Sequence, residues 1–513
     1  MIRIPAAAVL IVMASIAAPD AQLNDRTKLP AAFAEVDRLM RDYATQAHAP
    51  GAAWGIVVDG QLAHTGSTGF RDVAAQAPVD ADTVFRIASM TKSFTAMAIL
   101  KLRDEGKLSL DDPAERYVPE MAGLRYPTSD APKITIRHLL SHAEGFPEDN
   151  PWGDRQLADT EDQLSAMLRG GIPFSNAPGI AYEYSNLGFA ILGRVVSTVS
   201  KTKYTDYIAA SILKPLGMTS TTLEQKDVPA NHLARGYRWE DAQWKDEPLL
   251  SNGSFGSMGG MLTTVRDLSR YVGVYLSAWP PHDGPETAPI RRASLREMQQ
   301  VWRPAPASVA RDATGAIQLS AGGYAFGLRS SQSCAFRHIV SHTGGLPGFG
   351  SIMLWLPDYG AGIVAFGNVT YASWTRVTNT AMEALVKTAG LQPRQPTPSP
   401  ALLDSRDKVS RLVAHWDDAL ADSIAAENLF LDQTKERRRA EIEKLQASVG
   451  ACRPEVAAFD TIENALRGQW TMTCERGNLQ VAITLAPTMP PKVQLLGVRP
   501  APATPPKTET CQP

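Results

Sequence analysis

Phe85-Arg86-Ile87-Ala88-Ser89-Met90-Thr91-Lys92-Ser93-Phe94-Thr95-Ala96-Met97 is the stretch whose reading decides the fold. It starts as a short extended run and passes into a helix, because apolar residues recur at Met90, Phe94, Met97, Ala98 and Leu102, the spacing of a helix face turned toward a core. Residues three places apart share such a face, so the Lys92 amine can reach the Ser89 hydroxyl. We read Ser89 as a nucleophile and Lys92 as its activator. A serine at a helix start also lies at the positive end of the macrodipole, where free backbone N–H groups help hold a developing oxyanion.

Ser-x-x-Lys alone is a weak signal, and the chain holds three others: Ser200-Lys201-Thr202-Lys203, Ser211-Ile212-Leu213-Lys214 and Ser405-Arg406-Asp407-Lys408. The first closes a helical stretch and the second runs into Pro215-Leu216-Gly217, a helix-ending signature, so both serines face the wrong dipole end. The third sits in a charged surface stretch. Only partners elsewhere in the chain single out Ser89.

With 513 residues, 44% hydrophobic and 20% charged, the chain can bury a sizeable core. Its 51 basic and 53 acidic residues nearly cancel, and no basic run is interleaved with aromatics, so neither composition nor pattern points to a nucleic-acid partner. Met1-Ile2-Arg3 followed by a mostly apolar run to Ala18 reads as a secretory signal, residues 1–18, with Ser15-Ile16-Ala17 as a cleavage site. No later stretch is apolar for long enough to span a bilayer, which predicts a soluble secreted or periplasmic protein. Four cysteines, Cys334, Cys452, Cys474 and Cys511, suit an oxidising compartment; Cys452 with Cys474 is the favoured pair among three connectivities.

Working outward from Ser89, Phe33, Val36, Met40 and Tyr43 predict a helix over 31–47, broken at Pro50-Gly51. Trp54 to Val58, Asp59-Gly60 and Gln61 to Gly66 read as two strands joined by a tight turn. Beyond Gly106 helix signals dominate, at 135–142, 162–169, 186–200 and 204–213, predicting a mostly helical subdomain inserted into a sheet domain. Strand-like runs return at 349–356 and 361–366. The sheet is thus closed by strands far in sequence from its first hairpin. The proline-dense Gln392 to Pro400 marks a linker, residues 391–402, between a domain at 28–390 and a small α+β unit at 403–513 to which we assign no chemistry.

Two further motifs carry chemistry. Tyr184-Ser185-Asn186 precedes a helix, a junction that can aim side chains into a cleft. Beside a lysine cation the Tyr184 phenol is expected to have a lowered pKa and to move a proton, while Asn186 offers a donor and an acceptor to a substrate amide. In His342-Thr343-Gly344-Gly345, glycines let a ligand backbone approach a strand edge, and the Gly345 N–H can pair with that of Ser89 as oxyanion donors.

With these three motifs in this order, the chain resembles the serine β-lactamase and penicillin-binding-protein superfamily, specifically its class C β-lactamase, D,D-peptidase and esterase branch. The resemblance spans roughly Phe33 to Ala389 and extends to Thr135-Ile136-Arg137-His138-Leu139-Leu140-Ser141-His142 and Gly259-Gly260-Met261-Leu262-Thr263-Thr264. It implies an α+β fold, an antiparallel sheet flanked by helices with a helical insertion. It also implies acylation of Ser89, proton transfer shared by Lys92 and Tyr184, a substrate amide held by Asn186, and a cleft wall of His342, Thr343 and Gly344. Where this chain has His342, members of the family that destroy β-lactams usually carry lysine. A histidine with pKa of about 6.5 is mostly neutral at pH 7, so carboxylate recognition there is expected to be weaker and pH-dependent.

His138 and His142 stand four apart, superficially a zinc pair, but Leu139-Leu140-Ser141 supplies no glutamate and no C-x-x-C occurs, so neither metal nor cofactor is expected. A nucleophile elbow is disfavoured because G-x-S-x-G is absent. The expected function is a secreted serine hydrolase cleaving esters or small, D-amino-acid or peptidoglycan-related amides. The alternatives are a class C type β-lactamase or a poorly turning-over penicillin or peptide sensor.

Overall fold

Gly51–Val58 (β1) is buried at every position because both faces of its sheet are covered. Its side chains nevertheless alternate, as a strand's must. Ala53 and Val57 enter one core, Ala52, Trp54, Ile56 and Val58 the other. In this computed structural model, which describes residues 26–311, 317–456 and 458–501, the remaining strands of that sheet are Gln61–Asp72 (β2), Ala77–Pro78 (β3), Arg303–Arg311 (β4), Ile317–Tyr324 (β5), Arg329–Ser333 (β6), Ile339–Leu346 (β7), Phe349–Leu356 (β8) and Ala361–Gly367 (β9). The nine run in the order β3-β2-β1-β9-β8-β7-β6-β5-β4, each antiparallel to its neighbour.

On one face lie the helices Leu29–Gln46 (α1) and Thr375–Ala389 (α5), whose Val36, Met40, Ala381 and Leu385 meet Trp54, Ile352 and Ile363. On the other lie Thr91–Asp104 (α2), Asn186–Ser200 (α3) and Val265–Ser277 (α4), sharing a core with Met353, Trp355 and Phe366. The architecture is α+β, with a mostly helical insertion between β3 and β4. Strands β4 to β6 were not legible in the sequence: the β4 and β5 side chains are largely exposed and alanine-, serine- and glycine-rich, so no alternation marks them. The helix expected at 135–142 is shorter, Ile136–Leu140, and His142 lies beyond it at φ 53°, so His138 and His142 do not share a helical face.

The chain divides into two compact units, the second made chiefly of the residues from Arg394 onward. It holds a four-stranded antiparallel sheet, Thr461–Asn464 (β10), Arg467–Cys474 (β11), Gly477–Leu485 (β12) and Val493–Pro500 (β13), with the helices Pro400–Ala414 (α6) and Lys435–Val449 (α7). Trp470, Val481 and Ile483 pack on Leu402 and Val409 in a core of its own. Cys452 and Cys474 form a disulfide, with Cα atoms 3.9 Å apart. The expected signal segment and Cys511 lie outside the described residues.

Candidate active site

Ser89 sits in a single tight turn, Ala88–Met90, between the two-residue strand Phe85–Arg86 and α2. Ala88 takes φ 48°, a left-handed conformation that costs a non-glycine residue roughly 1–3 kcal/mol and persists only where its surroundings enforce it. The enforcement is visible. Ile87 N–H donates to the Met261 carbonyl at 3.0 Å, the Ser351 hydroxyl to the Ile87 carbonyl at 2.9 Å, and the Thr91 hydroxyl to the Ala88 carbonyl at 2.7 Å. Ser89 is thereby fixed at the base of a cleft, 8% exposed.

Lys92 lies one turn on, fully buried, and its Nζ is 3.1 Å from Ser89 Oγ, 2.7 Å from Asn186 Oδ1 and 3.0 Å from the Met258 carbonyl. Burial lowers its pKa to about 7, although Asp154 and Asp149 pull the other way. The three partners define what the neutral amine does. Asn186 Oδ1 and the Met258 carbonyl can only accept, so they take its two protons and leave the lone pair directed at the Ser89 hydroxyl.

Tyr184, also buried, has its phenol hydrogen-bonded to Ser89, and the Lys92 nitrogen stands 4.8 Å from its ring centre. Here the expectation of a lowered pKa is corrected. Burial dominates and holds the phenol well above its ordinary value, so at neutral pH Tyr184 keeps its proton. Asn186 opens α3, whose N-terminus is capped twice: Asp149 accepts from the Asn186 and Leu187 N–H groups at 2.7 and 2.8 Å, and Ser185 Oγ from Gly188 N–H at 3.0 Å. The Asn186 amide is committed to Lys92 on its oxygen and to Asn150 Oδ1, 2.7 Å away, on its nitrogen.

The third motif lies on β7. Pairing with β6 covers only Ile339 to Ser341, so the backbone from His342 to Leu346 is an edge open on the side of Ser89. Gly344 makes that closeness feasible: a Cβ there would lie 2.1 Å from the Ile87 carbonyl oxygen. Thr343 and Gly345 line the same cleft as Ser89. His342 is 2% exposed, with both ring nitrogens engaged. Nδ1 lies 2.6 Å from the Thr343 carbonyl, an acceptor, so Nδ1 carries the proton; Nε2, 2.9 Å away, accepts the Tyr324 hydroxyl. Burial lowers its pKa to about 3. The expectation of a histidine titrating near 6.5 is therefore corrected: His342 is neutral throughout the physiological range.

The cleft, of about 580 Å³, draws in residues that the motifs did not single out: Glu148, Asn150, Asp154, Tyr182, Arg329 and Tyr371. Arg329 donates to the Tyr182 hydroxyl at 3.1 Å, and Tyr371 donates to Asp154 Oδ2 at 3.0 Å. His142 brackets Tyr184. Its carbonyl accepts Glu183 N–H at 2.9 Å, its Nδ1 accepts Ser185 N–H at 3.1 Å, and its ring lies 4.4 Å from that of Tyr184. His138 serves locally, its Nδ1 accepting the Thr135 N–H in a capping box. The six cleft residues could not be placed by spacing, because each reaches the cleft from a loop, turn or strand whose position depends on the rest of the fold. Among the described residues no cluster of histidine, cysteine or carboxylates is arranged to hold a metal.

A serine with a lysine amine 3.1 Å from its hydroxyl, under a strand edge at the junction of a sheet and a helical insertion, fits the class of β-lactamase-fold proteins. The beta-lactamase family model matches residues 36–387, and the chain belongs to that family. Protein flp of Staphylococcus aureus strain N315 is 30% identical over 341 residues, 65% of this chain and 63% of that protein, so the chain spans about 63% of the length of this curated relative. Beta-lactamase-like protein 2 of Dictyostelium discoideum is 35% identical over 215 residues, 40% of this chain and 38% of that one. Among solved structures, the octameric penicillin-binding protein homologue from Pyrococcus abyssi superposes with a TM-score of 0.59 at 20% identity, covering 88% of this chain and 96% of its own. A class C β-lactamase does so at 0.56 and 21% identity, covering 72% and 98%. At these identities the two establish a shared fold.

Proposed function

We propose that the protein is a serine hydrolase that works through an acyl-enzyme on Ser89 and cleaves esters or small amides, including D-amino-acid or peptidoglycan-related ones. The observation that carries this reading is the placement of Lys92 Nζ 3.1 Å from Ser89 Oγ with its remaining donors occupied. In the proposed cycle Ser89 Oγ attacks the substrate carbonyl carbon and its proton passes to the neutral Lys92 amine. The carbonyl oxygen becomes an oxyanion between the N–H groups of Ser89 and Gly345. Collapse breaks the bond to the leaving group, which takes the Tyr184 proton, and Tyr184 is reprotonated from the Lys92 ammonium. Water then adds to the acyl ester by the same route in reverse, giving up its proton and releasing the acid.

Keeping Tyr184 protonated suits the leaving-group step, and the neutral, fully engaged His342 leaves that position without a cation for a substrate carboxylate. The second favours an ester or peptide substrate over a β-lactam. We propose further that residues 1–18 direct the chain to a secreted or periplasmic location, for which the Cys452–Cys474 disulfide is supportive, and that residues 28–390 form the catalytic domain. Mass spectrometry after fluorophosphonate or penicillin treatment tests the mechanism. A single adduct on Ser89, absent in Ser89→Ala, is expected, with turnover of p-nitrophenyl butyrate exceeding that of nitrocefin. An adduct elsewhere, or no adduct and no turnover, overturns the reading, and a stable adduct without turnover makes the protein a sensor.

A further inference from the structure

Asp154 sits in the cleft as a buried carboxylate that makes no close ion pair among the described residues, although the Lys92 charge acts on it through space. The residue is 3% exposed; Oδ2 accepts the Tyr371 hydroxyl at 3.0 Å, and Oδ1 has no hydrogen-bond partner among the described residues. Cations nearby are committed elsewhere. Lys92 is held by Ser89, Asn186 and Met258, and Arg155, half-exposed, points to Glu247 at 3.5 Å. Glu148, at the same mouth, adds a second carboxylate. A buried carboxylate left with half its acceptor capacity unused is costly unless something arrives to pair with it.

Its position relative to the chemistry can be read from its neighbours. Tyr371, which holds Oδ2, lies against Gly345: a Cβ on that glycine would be 2.9 Å from Tyr371 Cδ1. Gly153, the residue before Asp154, packs on Asn186, its would-be Cβ 2.7 Å from the Asn186 Cβ. Asp154 is therefore placed between Asn186 and Gly345. Tyr184, the proton donor to the leaving atom, stands with Tyr324, its ring centre 6.4 Å away, and Tyr324 lies under the Arg329 guanidinium, which is bonded to Tyr182. On the proposed mechanism the leaving group departs toward Tyr184, on the Arg329 side of the cleft, which leaves the Asp154 side to the acyl part.

We infer that Asp154, with Tyr371 behind it, is a specificity site for a primary ammonium on the acyl part of the substrate, so that the preferred substrates are esters or amides of amino acids with a free amino group. The inference rests on acylation at Ser89 and deepens it. An ammonium presents three donors, one of which satisfies Oδ1 in a charge-assisted bond. N-acylated or deaminated analogues offer no such charge.

The test compares the p-nitrophenyl esters of D- and L-alanine, N-acetylalanine and propionate on the full chain, in wild type and in Asp154→Asn. The wild type is expected to favour one free-amine ester over propionate by about tenfold or more in kcat/KM, and the asparagine variant to bring that ratio to about one, whatever its absolute rates. If Asp154 only biased the proton on Lys92, both esters would slow together and the ratio would stand, which overturns the inference. A wild-type ratio at or below one overturns it without recourse to any variant. Failure of every ester, with no Ser89 adduct, instead overturns the acyl-enzyme reading itself.

Discussion

Acylation of Ser89 should follow the protonation of Lys92. The amine is a base only when neutral, and burial has brought its pKa from 10.5 to about 7, so the neutral form is the major one above that pH. Below it each pH unit removes about nine-tenths of the competent enzyme, leaving on the order of one-hundredth of the plateau rate at pH 5. The imidazoles and the phenol of the site do not obscure this limb, since His342 titrates near 3, His138 near 4 and Tyr184 is pushed well up, whereas Asp154 and Asp149, pushed up by burial, act on Lys92 and share in the limb. The assay is the second-order rate of fluorophosphonate labelling from pH 4.5 to 9 at constant ionic strength. Lys92→Arg, whose guanidinium stays charged, should lose about 10²–10⁴ in rate together with the limb, while His342→Gln should keep the limb where it was. A profile flat between pH 5 and 8, or a limb that vanishes with His342 and survives without Lys92, would refute the reasoning. The same shift appears in stability with a fixed sign. Because the folded pKa lies below the unfolded one, protonation favours unfolding, and stability falls by roughly 1.4 kcal/mol per unit as pH drops from 10.5 toward 7, then levels. Lys92→Met should flatten that slope in thermal denaturation.

Three other outcomes are expected. Gly344→Ala would put a Cβ 2.1 Å from a backbone oxygen and 2.3 Å from Ser351 Oγ, pushing β7 away from the nucleophile turn; labelling should fall about a hundredfold and stability by roughly 1–3 kcal/mol, and a variant labelling at the wild-type rate would disprove the close approach. Glu144 is fully buried with both carboxyl oxygens unpartnered and its pKa raised well above 4.5, so its contribution to stability is present near pH 4 and lost as pH rises above 4.5; Glu144→Gln should therefore raise the melting temperature at pH 8 more than at pH 4.5, and the opposite order in calorimetry would count against a neutral buried acid. Removing the Cys452–Cys474 bridge, which spans 22 residues, by Cys452→Ser should cost the C-terminal unit about 3 kcal/mol in denaturant titration and leave Ser89 labelling unchanged, since the two units have separate cores.

What the sequence made legible is what local chemistry dictates. Helix α3 begins at Asn186 and ends at Ser200 as its Ser185 cap and apolar spacing require, and the β1–β2 hairpin turns at Asp59-Gly60, both in left-handed conformations. The motif residues Ser89, Tyr184, His342 and Gly345 line one cleft, with Lys92 and Asn186 directly beneath it. What could not be read is what depends on depth. Bringing the two motifs together sets Lys92 beside Tyr184 and invites a lowered phenol pKa, but it cannot report that both are out of water, where desolvation dominates. Likewise the Nε2 of His342 is occupied by Tyr324, eighteen residues away on β5, a strand whose exposed, small-residue sequence gives no sign of itself.

Depth also explains how one base is isolated among several candidates. Lys92, His142 and His342 are all buried and all have pKa values lowered by it, yet only Lys92 has a lone pair facing the nucleophile. His342 spends its lone pair on Tyr324, and His142 spends its own on the Ser185 N–H, the bond that fixes the backbone after Tyr184. Each histidine thus holds a tyrosine in place while remaining uncharged, and neither adds a positive charge that would depress the Lys92 base further. Replacing His142 by a residue that titrates, or that leaves Ser185 N–H unpaired, would disturb the Tyr184 position and the Lys92 proton affinity at once. On the proposed mechanism the two histidines position the proton path without lying on it.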